Sequence, residues 1–87
     1  MMTWQQSNEF NSMLREASWL ESKGDSYMAD RYYDEAARWY LSAANECRRA
    51  YDFARSCDDY SAQCEASSME RSCESKRQDA IYSGWSR

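Results

Sequence analysis

Ala36-Ala37-Arg38-Trp39-Tyr40-Leu41-Ser42-Ala43-Ala44-Asn45-Glu46-Cys47-Arg48-Arg49-Ala50-Tyr51-Asp52-Phe53-Ala54-Arg55-Ser56-Cys57 is the stretch whose reading decides the fold. Ala36, Tyr40, Ala43, Cys47, Ala50, Ala54 and Cys57 recur at alternating spacings of four and three, which is one buried face of a helix. That face is made almost wholly of small residues. Upstream, Phe10, Met13, Ala17, Leu20, Gly24 and Tyr27 form another seam of the same period, and most of these side chains are large.

Between the seams lies Asp30-Arg31-Tyr32-Tyr33-Asp34-Glu35, short enough to make the two helices antiparallel neighbours. Asp34 and Glu35 then fall in the first turn of the second helix, where unpaired N–H groups and the helix dipole favour negative charge. Folding this hairpin sets Tyr27 near Ala36, Gly24 near Tyr40, Leu20 near Ala43, Ala17 near Cys47, Met13 near Ala50 and Phe10 near Ala54. Large against small is what close packing requires, and small partners let helix axes approach toward the lower end of ~8–10 Å.

Composition supports helix throughout. The 87 residues contain no proline, and the only glycines are Gly24 and Gly84, so some sixty residues pass without a breaker. Valine is absent while Ala, Glu, Arg, Gln and Met are plentiful, which favours helix over strand. The class is all-α, and the length fits one domain, residues 1–87. Leu, Ile, Val and Phe together number six, well under the ~20% share below which disorder is expected. A net charge of only −4 and 15% aromatic residues point instead to a folded chain with a thin core of Ala, Cys, Met, Tyr and Trp.

Past Cys57 two continuations are open. The period runs on through Ser61, Cys64 and Ser68 as one very long helix, or the chain turns near Ser56-Cys57-Asp58-Asp59 with Asp58 or Asp59 as N-cap. In the turning case a third helix carries the seam Ala62, Ala66, Met69, Cys73 and Ala80. That seam has the better apolar residues, and three segments of similar length close a bundle. The expected architecture is therefore an antiparallel helical hairpin extended to a small three-helix bundle. Its helices lie at about 4–29, 33–57 and 60–82, with a tail at 83–87.

The stretch Gly24-Asp25-Ser26-Tyr27 followed by Tyr33-Asp34-Glu35-Ala36-Ala37-Arg38-Trp39-Tyr40-Leu41-Ser42-Ala43-Ala44 resembles a tetratricopeptide repeat. Gly24 matches the glycine where the repeat's helices cross, Tyr27 the aromatic after it, Ala36 the alanine of the second helix, Tyr40 its aromatic and Ala43 its last small residue. Asp34-Glu35-Ala36 with Tyr40 is also similar to microtubule-interacting and trafficking domains, which are three-helix units of this size. The likeness covers residues 17–50. Leu20 stands where the repeat usually has an early aromatic, Lys23 replaces an apolar residue and no proline follows Ala44. One unit is visible where stacked arrays need about three, so the resemblance implies a single hairpin and the binding of a protein or peptide.

Several chemistries are excluded by composition. Without histidine there is no Ser-His-Asp triad, Cys-His pair or imidazole metal ligand. Two glycines cannot build a phosphate-cradling loop. The cysteines at 47, 57, 64 and 73 lack the C-x-x-C spacing of zinc or redox motifs. They read as reduced thiols serving as small core residues, with a Cys57–Cys64 pair across the turn as the alternative. No catalytic, cofactor-binding or metal-ligating set is expected, and the chain reads as non-enzymatic. No apolar run reaches the ~18–20 residues of a membrane span, and Met1-Met2-Thr3-Trp4-Gln5-Gln6 lacks the basic and apolar regions of a signal peptide. A cytoplasmic location without a membrane partner is the expectation. A pI near 4.7 disfavours direct nucleic-acid binding.

Trp4, Trp19, Tyr32, Tyr33, Trp39, Tyr51 and Tyr60 fall off or beside the seams, more aromatic surface than so small a body buries. They either flank an alanine core or form a contact surface, since Trp, Tyr and Arg are enriched at interface hot spots. Nine of the eleven basic residues are Arg, whose guanidinium both stacks and forms paired hydrogen bonds. Trp39, Arg38 and Tyr32, then Tyr33, Trp19 and Tyr51, are the candidate partner-binding residues. The implied role is an adaptor or an inhibitor docking on a larger protein. The competing roles are an acidic mimic that blocks a nucleic-acid-processing enzyme and a self-associating homodimer. The seam itself is testable: Ala43→Leu or Gly24→Leu should lower stability by roughly 1–3 kcal/mol through overpacking, read by thermal or urea unfolding.

Overall fold

Thr3 starts the first helix. Its Oγ1 accepts the Gln6 N–H at 3.2 Å while Gln6 Oε1 accepts the Thr3 N–H at 2.9 Å, so two donors that the helix leaves open are satisfied reciprocally. The structure, a computed structural model, describes residues 1–86. Helix α1 spans Trp4–Ala29, α2 spans Tyr33–Ser56 and α3 spans Tyr60–Ser86, with no strand among the described residues. The chain turns after Ser56, as the three-helix reading requires.

Both turns have the same geometry. Tyr32 N–H reaches back to the Tyr27 carbonyl at 2.9 Å and Arg31 N–H to Met28 at 3.1 Å. At the second turn Asp59 N–H reaches Ala54 and Asp58 N–H reaches Arg55, each at 3.1 Å. This double closure satisfies the last carbonyls of a helix and needs a left-handed residue at its second position. Arg31 (φ 65°) and Asp58 (φ 54°) take that conformation, which glycine would adopt without the penalty of about 1 kcal/mol that a side chain brings. Asp59 Oδ1 then accepts the Ala62 N–H at 3.0 Å, so of the two expected caps Asp59 is the one used. Asp34 and Glu35 lie in the first turn of α2.

Helix α2 is central, packed along its length against α1 on one side and α3 on the other, while α1 and α3 scarcely meet. The result is elongated, with principal extents of 48 × 16 × 13 Å. Its core has three layers. Phe10 closes one end with Ala50, Ala54, Ala62 and Ala66, flanked by Met13. The middle holds Ala17, Ala43, Ala44, Cys47 and Cys73 with Leu20 and Met69 beside them. The other end holds Ala36, Tyr40 and Ala80 under Tyr27. The large-on-small pairs of the hairpin and the third seam thus meet in these layers. A β-carbon at Gly24 would lie 2.5 Å from the Tyr40 ring, so the glycine is what admits that ring.

Two elements differ from expectation. Residues 83–86 continue α3 instead of forming a tail, while Arg87 lies outside the described residues. Gly84 runs beside the start of α2, where an added β-carbon would sit 3.5 Å from that of Tyr33. Packing on that first turn offsets the roughly 1 kcal/mol that glycine costs a helix. Cys57, expected at the end of the buried face, is the C-cap of α2 and only half-buried.

One polar knot ties all three helices. The Tyr40 hydroxyl donates to Asp25 Oδ1 at 2.6 Å, and Lys76 Nζ donates to both Asp25 oxygens at 3.1 and 3.2 Å. Lys76 also pairs with Glu21 Oε2 at 2.9 Å. Burial and the Asp25 hydrogen bond push the Tyr40 hydroxyl well above its ordinary 10.0. Burial pulls Lys76 down, but the Glu21 and Asp25 carboxylates outweigh it and the net direction is upward. In both groups the protonated form is the one held, so their contribution is whole below about pH 10 and drains as pH climbs through the raised values. Tyr40→Phe should cost roughly 1–2 kcal/mol at neutral pH. The advantage of the wild type over that variant should shrink above about pH 10; urea titrations from pH 7 to 11 measure it, and a pH-independent gap refutes the assignment.

Candidate functional site

Trp19, Lys23 and Tyr27 are spaced four apart on α1, and Glu35, Trp39 and Ser42 are spaced four and three on α2. Each set therefore shares one helix face, and the antiparallel hairpin brings the two faces together on its outer side. Trp19 meets Trp39 edge to face at 5.7 Å between ring centroids. Trp39 stacks on Tyr27 at 6.2 Å and 13°, and Tyr27 meets Tyr32 edge-on at 6.2 Å. Four rings form one unbroken strip. These geometries are the ones the aromatic quadrupole favours.

Cations border the strip. Lys23 Nζ lies 5.5 Å from the centre of the Trp19 ring, within reach of a cation–π attraction. Arg38 donates to Glu35 Oε2 at 3.3 Å, an exposed pair of small energetic weight. A shallow groove between the helices is lined by Tyr27, Glu35, Arg38, Trp39 and Ser42. Trp19 is 51% and Tyr32 59% exposed, so ring faces and edges remain open to solvent.

Of the residues singled out from sequence, Trp19, Tyr32, Arg38 and Trp39 come together here. Tyr33 lies instead beside Gly84 of α3. Tyr51 lies twelve residues beyond Trp39 on α2, about 18 Å along the axis. There Arg48 covers its ring at 5.3 Å, and Tyr51, Tyr60, Gln63, Cys64, Ser67 and Arg71 line a second shallow pocket between α2 and α3. A hydrogen bond with Cys64 holds the Tyr60 hydroxyl above its usual range. Sequence reasoning placed Tyr27 in the core and missed its second role as the middle of the strip. The signal was its position four residues after Lys23 and eight after Trp19.

All four cysteines are free. Cys47 and Cys73 share the middle layer, where interaction with Cys73 and burial push the Cys47 thiol up. Among the described residues no group of three His, Cys, Asp or Glu side chains is placed to hold a metal ion, and no helix is long and apolar enough to cross a membrane. Comparison with protein-family models, curated proteins and solved structures yields no match to this chain.

The strip's own bonding is measurable. Trp39, half-buried between Tyr27 and Trp19, should lose more stability on change to alanine than exposed Trp19. The Trp19→Ala/Trp39→Ala cycle should show coupling of about 0.5–1.5 kcal/mol, measured by chemical unfolding followed by circular dichroism.

Proposed function

We infer that this protein is a non-catalytic binding module that docks on a larger protein through the α1–α2 aromatic strip, as an adaptor or an inhibitor. The observation that carries this reading is the strip itself: four rings in continuous contact, two of them more than half exposed. An isolated small domain gains little from keeping such rings in water, whereas Trp, Tyr and Arg anchors supply much of the binding energy at protein interfaces. Lys23 and Arg38 at the edge supply a polar rim. The tetratricopeptide-like spacing of Gly24, Tyr27, Ala36, Tyr40 and Ala43 supports the same role, since hairpins of that kind bind proteins. A cytoplasmic setting suits the four free thiols.

The nucleic-acid-mimic reading draws less support. Glu21, Asp25, Glu35, Glu46, Asp52 and Glu74 are each paired with a Lys or Arg, which breaks up the continuous negative field that a mimic presents. Affinity capture from the native host with wild type and Trp19→Ala/Tyr32→Ala tests the choice. Both side chains are exposed, so the variant should keep its helical signal. A partner held by the wild type at both about 50 and 300 mM salt and lost by the variant is expected. Retention by the variant removes the strip from the interface. Steep loss with salt favours the mimic, and a second copy of the chain as the partner, seen by light scattering, favours self-association.

A further inference from the structure

Tyr60, Cys64, Ser67 and Arg71 are spaced four, three and four along α3, so they share one face of that helix. Tyr51 of α2 and Gln63 complete the lining of a pocket of about 340 Å³ between the two helices. That is room for one substituted ring, at the low end of the ~300–1,000 Å³ of small-molecule sites. The pocket differs from its neighbours in charge. Glu65 lines both grooves between α1 and α3, and Glu35 lines the groove beside the aromatic strip. The α2–α3 pocket has no carboxylate in its lining and offers phenol and serine hydroxyls, an amide and the Arg71 guanidinium. Arg71 is exposed and has no ion-pair partner among the described residues; Glu74, one turn on, pairs with Arg77 instead at 3.6 Å. Ala50 and Ala54 share a layer with Ala62 and Ala66, and Ala36 with Ala80, so α2 and α3 run antiparallel. Arg48, one turn before Tyr51, therefore lies toward the Arg71 end of the pocket. Its guanidinium sits 5.3 Å from the Tyr51 ring centre, and Asp52 approaches only its Nε, at 3.9 Å, beyond hydrogen-bond length.

We propose that this pocket binds a phosphate monoester borne on a single aromatic ring, the chemistry of a phosphotyrosine side chain. The ligand ring lies against Tyr51, and the phosphate lies at the end flanked by Arg48, Arg71 and the Ser67 hydroxyl. A phosphate monoester carries a charge of about −1.5 to −2 at neutral pH, and guanidinium groups match its oxygens with paired hydrogen bonds. The small Cys64 and Ser67 leave the floor recessed enough to admit the ring. The pocket is built on α2 and α3, away from the α1–α2 strip, so it stands whether or not the strip docks a protein.

The test is an amide NMR titration of the full chain with phenyl phosphate, capped phosphotyrosine, capped tyrosine and inorganic phosphate. Both aryl phosphates should shift amides of residues 48–51 and 60–71 saturably, with dissociation constants on the order of 1 mM. Capped tyrosine and inorganic phosphate should bind at least about tenfold more weakly, each lacking half of the recognised group. Tighter binding of capped phosphotyrosine than of phenyl phosphate marks a polypeptide as the source, and equal binding marks a free aryl phosphate; either upholds the site. Arg71→Ala, its fold checked by circular dichroism, should weaken binding about tenfold, and Arg71→Lys should recover only part, since an ammonium lacks the paired donors. Arg15→Ala removes the same charge from α1 and should bind as the wild type does. No saturation by about 10 mM, inorganic phosphate bound as tightly as the aryl phosphates, an equal loss in Arg15→Ala, or shifts centred on Trp19 and Trp39 would overturn the proposal. The mapping on the wild type decides the site even where a variant fails to fold.

Discussion

Six of the seven side chains that α2 buries are alanine or cysteine, and Tyr40 is the exception. Each buried methyl contributes on the order of 0.8 kcal/mol from transfer out of water, so such a helix gains cohesion only if its neighbours come close enough for backbone and β-carbon atoms to touch. Dispersion falls steeply with any gap. Everything else in the fold follows from keeping that approach. The glycine at position 24 sits opposite the one bulky residue that α2 buries, and Phe10 fills one end of the bundle against Ala50, Ala54, Ala62 and Ala66.

A core of this kind has few ways to fix the third helix. Alanines slide over one another with little change in contact, and they do not specify register well. The Tyr40–Asp25–Lys76 knot does, because its hydrogen bonds link α1, α2 and α3 at one level along the bundle. Tyr40 serves both functions at once, with its ring filling the place of the missing Gly24 side chain and its hydroxyl holding the carboxylate that Lys76 needs. Sliding α3 by one turn, about 5.4 Å, would break those bonds while leaving alanine against alanine.

The seams were legible in the sequence because period and residue size varied together: Phe10, Met13 and Leu20 on one side, Ala54, Ala50 and Ala43 on the other. The third helix was legible because Ala62, Ala66, Cys73 and Ala80 outclass Ser61 and Ser68 as core residues. The knot was not, since Lys76 and Asp25 are 51 positions apart and look like ordinary solvated charges until the helices are docked. The end of α3 was misjudged because Ser83-Gly84 has the local chemistry of a stop, and only the start of α2 supplies the surface that overrides it. For the candidate site, lying off the seams set Trp19, Tyr32, Arg38 and Trp39 outside the buried faces, as flanking core or contact surface. Separating them from Tyr33 required the rotation of each helix about its own axis, which period alone leaves open within a face, whereas Tyr51 is set apart by about 18 Å along α2.

The surface and the core are consequences of one choice of side chains. Apart from Tyr40, which Gly24 admits, positions facing inward on α2 hold small groups, because a larger one would separate the helices and forfeit the contacts that hold them. Apart from Phe10 and Tyr40, large aromatics are therefore left to the margins of the interfaces. There they cover the alanine layers with one part of the ring and meet water with the other, as Tyr27 does between Ala36 and Trp39. The same argument accounts for the second aromatic pocket, around Tyr51 and Tyr60 between α2 and α3. A thin core thus produces rings that are anchored at one edge and open at the other, with little conformational freedom left to lose on binding. Preorganised aromatic surface of that kind keeps more of its contact energy as affinity, which is the physical ground of the docking role proposed for the strip.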